Sequence, residues 1–375
     1  MDSYRAIGPG RVNLLGEHVD YNDGVVLPAA IDRQVTVDAE ALDGDQVQLT
    51  ASDLGQEAVF SLNNLAARKD IHGQPLPHWA LYPAGVAWAA QQAGLPVTAV
   101  RAAFTSDIPM GSGLSSSAGL EVAFGALWRL LGGWQMDGMD LARLGQKAEV
   151  LYVGVNCGLM DQFASANGVE GHALYFDTRS LDWRSLPLPA GTSIIVADST
   201  MRRSLANSAY NTRHAECEEA VRILQGFLPH IRSLRDVSVE QFNRFAAELP
   251  QPVRKRARHV VEEIARVDQA ALLLEQGDAA GFGRLMYAGH ASLRDLYEVS
   301  IPELDTLVAL AAEIPGCLGA RLSGAGFGGC TVNLVRDESA DGFIQTLKAG
   351  YLSATGKDAP VYRCRASQGA RAERI

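Results

Sequence analysis

Residues 109–119 read Pro-Met-Gly-Ser-Gly-Leu-Ser-Ser-Ser-Ala-Gly and run without a break into Ala118–Leu131, a stretch apolar on most sides. Such a stretch reads as a buried helix. The glycines at 111 and 113 let backbone N–H groups turn inward and approach an anion closely. The three consecutive serines Ser115, Ser116 and Ser117 add hydroxyl donors. The helix behind them presents unpaired N–H groups and its positive dipole end. A helix cap accounts for one serine, not for three in succession, so Gly111–Ser117 reads as a phosphate cradle. It is not a Walker A loop, which needs Gly-Lys-Ser/Thr after the spacer, and it lacks the glycine spacing of a dinucleotide fingerprint.

Around this loop the chain has room for two domains, with 375 residues and no deficit of apolar side chains. Residues 34–39, 99–104, 175–177 and 193–197 read as strands. Leu141–Gly154 reads as a second helix after the apolar one, and long charged helices follow over 208–226 and 252–276. Helices and strands interleave without a regular parallel βαβ rhythm, so the expected fold class is α+β. The Pro-containing stretch 183–192 is the expected boundary, dividing the chain into 1–190 and 191–375.

The formal net charge of −10 argues against a nucleic-acid partner, which needs a basic footprint. Five scattered cysteines form neither a CxxC pair nor a metal-like cluster, so no disulfide framework is expected and a reducing cytoplasm is the default. No run of about 18 apolar residues indicates a membrane span. The N-terminal residues lack the apolar core of a signal peptide. A cytoplasmic monomer with neither nucleic-acid nor membrane partner is the expectation.

Two further segments carry chemistry. Glu17, His18, Asp20 and Tyr21 place carboxylate and imidazole acceptors beside a phenol, a mixture suited to reading the adjacent hydroxyls of a sugar. Asn22-Asp23-Gly24 reads as a hairpin turn. Residues 321–330, Arg-Leu-Ser-Gly-Ala-Gly-Phe-Gly-Gly-Cys, hold four glycines in six positions and indicate a loop whose backbone closely approaches another group.

Pro109-x-Gly111-x-Gly113-Leu114-Ser115-Ser116-Ser117-Ala118 resembles the nucleotide-binding signature of the GHMP kinases. The resemblance implies that ATP phosphates lie over Gly111, Ser112, Gly113, Leu114, Ser115, Ser116 and Ser117, with Ser117 on Mg2+. Gly10-Arg11-Val12-Asn13-Leu14-x-Gly16-Glu17-His18-x-Asp20-Tyr21-Asn22 is similar to the signature of the galactokinase branch. By that resemblance Glu17, His18 and Asp20 hydrogen-bond galactose hydroxyls, and Arg11 stands beside the transferring phosphoryl group. Gly158-Leu159-Met160-Asp161-Gln162 resembles another segment of that branch. It implies that Gly158 lines the sugar site and that Asp161 faces the anomeric hydroxyl, as base or as positioning carboxylate. Glu149 is implied as second Mg2+ ligand and Tyr210 as a sugar contact. The segment from His290 to Ser300 is similar too, with no reaction role following from it.

The implied fold pairs an N-terminal domain like ribosomal protein S5 domain 2 with a C-terminal ferredoxin-like domain, the active site lying between them. The implied reaction transfers the ATP γ-phosphate to the C1 hydroxyl of α-D-galactose. Val19 (commonly Thr in the branch), Asn207, Ala209 and a short lead-in before Pro9 depart from the pattern. The same chemistry on N-acetylgalactosamine or L-arabinose, and a non-catalytic galactose sensor, are the alternatives. Arg11, Ser117 and Asp161 favour an active enzyme with galactose as acceptor.

Overall fold

A long antiparallel pair opens the architecture. Strand β1 (Ser3–Asn13) lies against β3 (Pro28–Ala41), with Tyr4 opposite Ala39 and a register shift between Pro9 and Arg11. The computed structural model describes residues 2–109, 111–202 and 206–375; Met110 of the glycine-serine motif and the side chain of Asn207 lie outside what is described.

The short β2 (Val25–Val26) separates that pair; β4 (Gln46–Ala51), β5 (Gln56–Ser61), α1 (Leu81–Gln92) and β6 (Val100–Ser106) follow. Then come α2 (Ser116–Gly132), α3 (Gly138–Lys147), α4 (Met160–Asn167), β7 (His172–Asp177), β8 (Trp183–Pro187) and β9 (Thr192–Asp198). The remainder holds α5 (Ala206–Leu224), α6 (Val239–Phe245), α7 (Val253–Glu275), α8 (Ala279–Ser292), α9 (Pro302–Glu313), β10 (Cys317–Ser323), β11 (Cys330–Arg336), α10 (Ala340–Thr355), β12 (Val361–Cys364) and β13 (Arg371–Arg374). The described residues form three sheets, in the orders β13-β1-β3-β6-β4-β5, β10-β11-β9-β12 and β2-β7-β8. Most pairings are antiparallel, and β4 runs parallel to β6. The α+β expectation holds.

The apolar helix is α2, buried all round from Ala118 to Trp128. It lies directly on β1 because both surfaces are bare where they meet: a Cβ on Gly8 would fall 1.9 Å from the Gly119 carbonyl oxygen. This contact sets the phosphate loop at the end of β1, next to the segment that follows it.

Three features depart from the expected elements. The helix expected over Leu141–Gly154 stops at Lys147 and continues as a π-helical turn, Ala148–Val153, closed by Gly154 at φ 89°. Its apolar spacing resembles an α-helix in sequence, but the wider turn carries Glu149 inward until it is buried. The Pro-containing stretch 183–192 is not all linker, since Trp183–Pro187 is β8, an edge strand on β7. Pro187 closes that strand, where a missing N–H is tolerated. Finally, β13 returns to the first sheet, pairing Tyr4 with Arg374 and Ile7 with Arg371.

Candidate functional site

The loop before α2 is tied to β1 by backbone and side chain together. The Arg11 amide donates to the Leu114 carbonyl at 3.1 Å, and Arg11 Nη1 donates to the Gly113 carbonyl at 2.6 Å. Ser115, which precedes the helix, holds a left-handed conformation (φ 60°) that bends the chain back. Two serines expected at the phosphates are turned toward the protein. Ser112 is fully buried and donates to the Pro109 carbonyl at 2.6 Å, and Ser115 Oγ donates to Asp161 Oδ2 at 2.5 Å. Ser116 and Ser117 begin the helix and remain half-buried, and Leu114 is buried beneath the loop.

Asp161, in the first turn of α4, meets Arg11 from β1. Arg11 Nε and Nη2 lie 2.9 and 2.8 Å from Asp161 Oδ1. The Arg11 side chain is buried while the carboxylate stays partly open. One guanidinium therefore joins the phosphate loop to the carboxylate expected at the acceptor hydroxyl.

Behind the loop lies an acidic nest. Glu149 is buried in the π turn; its Oε2 accepts from Gln162 Nε2 at 2.6 Å and from Cys157 Sγ at 3.3 Å, and Ser117 also hydrogen-bonds this carboxylate. Burial, with Asp161 nearby, pushes the Glu149 carboxyl up. Glu121 of α2 is wholly buried and accepts from the same Gln162 nitrogen at 2.9 Å. Burial and the neighbouring Glu149 push its carboxyl well up. A carboxylate and a hydroxyl side by side, close to a phosphate cradle, are hard oxygen donors of the kind Mg2+ takes. Glu149 and Ser117 fit that ion.

The sugar-type motif forms the opposite wall. Glu17 is buried and accepts from the Gly324 amide at 2.6 Å, so the third glycine loop closes on it. Burial raises the Glu17 carboxyl, against the pull of Arg321 and Arg11. Asp20 is pushed up to about 6 by burial and by Asp161 and Glu17. Gly158 passes so near that a Cβ there would lie 2.2 Å from Asp20 Oδ2. His18 has Nδ1 3.0 Å from the Tyr21 hydroxyl and Nε2 3.1 Å from the Ala325 carbonyl, so both ring nitrogens have protein partners. Tyr210 packs beside this cluster, its ring centroid 5.7 Å from His18 and 5.2 Å from Tyr21. Asp161, Arg11, Glu17, Asp20, Gly158 and Tyr210 are thus brought together, and Glu149, which Ser117 hydrogen-bonds, also feels the Asp161 charge.

Sequence reasoning assigned no role at the site to five contributors. Arg202 grips buried Asp198 through Nη1 and Nη2 and lies across Gly111, where a Cβ would be 3.0 Å from its Cδ. A cation from the second half thereby faces the phosphate loop; its signal was an Asp and an Arg four positions apart after an apolar strand. Glu121 lay unremarked in the apolar helix, and Gln162 stood in the Asp161 motif without a role of its own. Glu263 of α7 accepts from the Gly16 amide at 2.8 Å and pairs with Arg321 at 3.0 Å, both side chains fully buried. Tyr297 anchors Tyr21 by a 2.5 Å hydroxyl contact.

The glycine-serine loop at the start of α2, the Arg11–Asp161 pair beside it and the polar Glu17–Tyr210 cluster form one contiguous site. Comparison with known proteins identifies the class. Residues 82–169 match the GHMP kinases N terminal domain, 270–351 the GHMP kinases C terminal domain, and 3–40 the galactokinase galactose-binding signature. A galactokinase of Roseiflexus sp. (strain RS-1) is 48% identical over 361 residues, covering 96% of this chain and 90% of that protein. One from Chloroflexus aggregans is 45% identical over 364 residues, covering 97% and 92%. Among solved structures, Lactococcus lactis galactokinase complexed with galactose superposes with a TM-score of 0.91 at 34% identity, covering 98% of this chain and 94% of that one. Methanococcus jannaschii mevalonate kinase, at 18% identity and a TM-score of 0.70, shares the fold. The chain belongs to the galactokinase family of GHMP kinases.

Proposed function

We propose that this chain transfers the γ-phosphate of ATP to the C1 hydroxyl of α-D-galactose, giving galactose 1-phosphate and ADP. The observation that carries the reading is the Arg11–Asp161 pair at the junction of the phosphate loop and the Glu17–Asp20 pocket. Family membership supplies ATP as phosphoryl donor and galactose as acceptor.

In this reading Gly111–Ser117 cradles the phosphates, and the α2 N-terminus adds its dipole. Arg11 stabilises charge on the transferring group, and Asp161 orients or accepts the proton of the C1 hydroxyl. Phosphoryl transfer passes through a loose transition state in most analyses, so placement and electrostatics carry most of the catalysis. Glu17, Asp20, Gly158 and Tyr210 line the sugar side. His18 acts there by fixing Tyr21 and the 325 carbonyl, since both its nitrogens have protein partners. Ser117 and Glu149 are the residues that hold Mg2+, which when bound neutralises phosphate charge. Arg202 adds a second cation at the loop. The scatter of the five cysteines along the sequence suits a reducing cytoplasm as compartment.

Product identity tests the reaction. Incubation with Mg-ATP and galactose is expected to give a sugar phosphate whose phosphorus couples to the anomeric proton in NMR. A phosphate coupled to any other carbon's proton contradicts the C1 assignment.

A further inference from the structure

The dipeptide Asp161-Gln162 sends its two side chains in different directions, as consecutive residues on a helix do, about 100° apart. Asp161 meets Arg11. Gln162 turns into the acidic nest, where it is fully buried. Its Nε2 carries two hydrogens and faces two carboxylates, Glu149 Oε2 at 2.6 Å and Glu121 Oε2 at 2.9 Å. In the structure the amide nitrogen, and not the carbonyl oxygen, is the Gln162 atom within hydrogen-bond distance of both acids. Both donor hydrogens are thereby committed, one to each acid.

Glu121 makes this arrangement rigid. It lies four residues after Ser117, on the same face of α2 and one turn deeper. Gly145 of α3 passes beside the pair, where a Cβ would come 3.2 Å from Gln162 Cγ and 3.5 Å from Glu121 Oε2, so the neighbouring helix leaves room for both side chains. The fold itself gains little from these groups. Among the described residues Glu121 Oε1 and Gln162 Oε1 are buried with no hydrogen-bond partner, and apolar side chains of similar shape at both positions together would avoid that cost. What the pair does accomplish is to hold Glu149. That residue stands in a π turn, and its Oε2 is fixed by Gln162 on one side and Cys157 on the other.

We infer that Gln162 is a positioning residue for phosphoryl transfer: its amide, anchored on the buried Glu121, locks the Glu149 carboxylate in the orientation that meets a divalent cation at the phosphate loop. The inference rests on the reading of Glu149 as a cation ligand. Gln162 touches neither phosphate nor sugar; it acts through Glu149. Partners of a ligand side chain typically set metal affinity by about 10- to 100-fold.

Mn2+ binding to the full-length enzyme–ADP complex, followed by the EPR signal of free Mn2+, tests this without turnover. Gln162→Met keeps the length and the burial of the side chain and removes the amide. It is expected to weaken Mn2+ binding by about 10- to 100-fold, while ADP binding in excess EDTA and galactose binding stay at wild-type values. If that variant does not fold, Gln162→Asn, too short to reach both acids, carries the same expectation. Glu149→Gln serves as the reference and is expected to lose Mn2+ binding at least as severely. Wild-type Mn2+ affinity in the Gln162 variant, with loss in Glu149→Gln, overturns the positioning role. Wild-type affinity in Glu149→Gln itself shows instead that the ligand reading was wrong, and the inference falls with it.

Discussion

Arg11 and Asp161, 150 residues apart in sequence, meet through two guanidinium nitrogens at 2.9 and 2.8 Å from a single carboxylate oxygen. The third nitrogen of Arg11 holds the Gly113 carbonyl, so one guanidinium ties the carboxylate to the glycine-serine loop. Asp161→Ala is therefore expected to lower kcat by at least about 100-fold while ATP binding persists. Steady-state rates and nucleotide titration check it, and normal turnover would remove Asp161 from the mechanism. Arg11→Lys should rescue little, because an ammonium lacks the fork that spans both partners.

The sugar wall gives a contrasting signature. Glu17→Ala and Gly158→Ala are both expected to raise the galactose KM far more than the ATP KM. Glu17→Ala removes an acceptor, and the methyl of Gly158→Ala would collide with Asp20. An equal rise in both constants would place these residues outside the sugar pocket.

Asp20 introduces a pH dependence. Its folded-state pKa, about 6, lies above its ordinary value of 3.8. The folded protein therefore binds this proton more tightly than the unfolded chain does. The contribution to stability is whole below about 3.8 and is lost as pH rises through about 6. Asp20→Asn should be more stable than the wild type at neutral pH, and the difference should vanish in acid. Galactose affinity in the wild type should strengthen as pH rises through about 6, where the carboxylate becomes a full acceptor, and this inflection should be absent from Asp20→Asn. Denaturant titrations and sugar binding at several pH values test both statements.

Glu263 behaves in the opposite sense. Burial pushes its carboxyl up, but the Arg321 and Arg266 guanidiniums more than offset that and hold it at about 2. Its contribution to stability is present above its ordinary 4.5 and is lost as pH falls toward about 2. Glu263→Gln leaves Arg321 buried without its counter-charge, although the new amide oxygen can still accept from Gly16. A loss of about 3–5 kcal/mol in unfolding free energy is expected. A loss below about 1 kcal/mol would show that the pair does not anchor the sugar segment.

Local pattern made the glycine-serine loop, the apolar helix behind it and the polar segment Glu17–Tyr21 legible, because each is a run of neighbouring residues. The strand β13, Arg-Ala-Glu-Arg, was not legible: it lies at a sheet edge, largely exposed, and carries no apolar alternation. The π turn was hidden for a different reason, since an α-helix and a π turn share nearly the same apolar spacing over six residues. Glu121 did leave a trace, a lone carboxylate between Leu120 and Val122 in an otherwise apolar helix. That trace has meaning only once Gln162 and Glu149 are seen around it. The two engaged nitrogens of His18 likewise depend on Tyr21 and Ala325, the second 307 residues away.

The most direct test of the proposed function is ADP release from Mg-ATP across a panel of galactose, 2-deoxygalactose, N-acetylgalactosamine, arabinose, glucose and mannose. Release that depends on galactose, with little from glucose, is the predicted result. Release with another of these sugars but not galactose would keep the kinase and overturn the reading of the Glu17–Asp20 pocket. No release with any sugar, from folded protein that binds ATP, would contradict catalysis and leave a galactose sensor in its place.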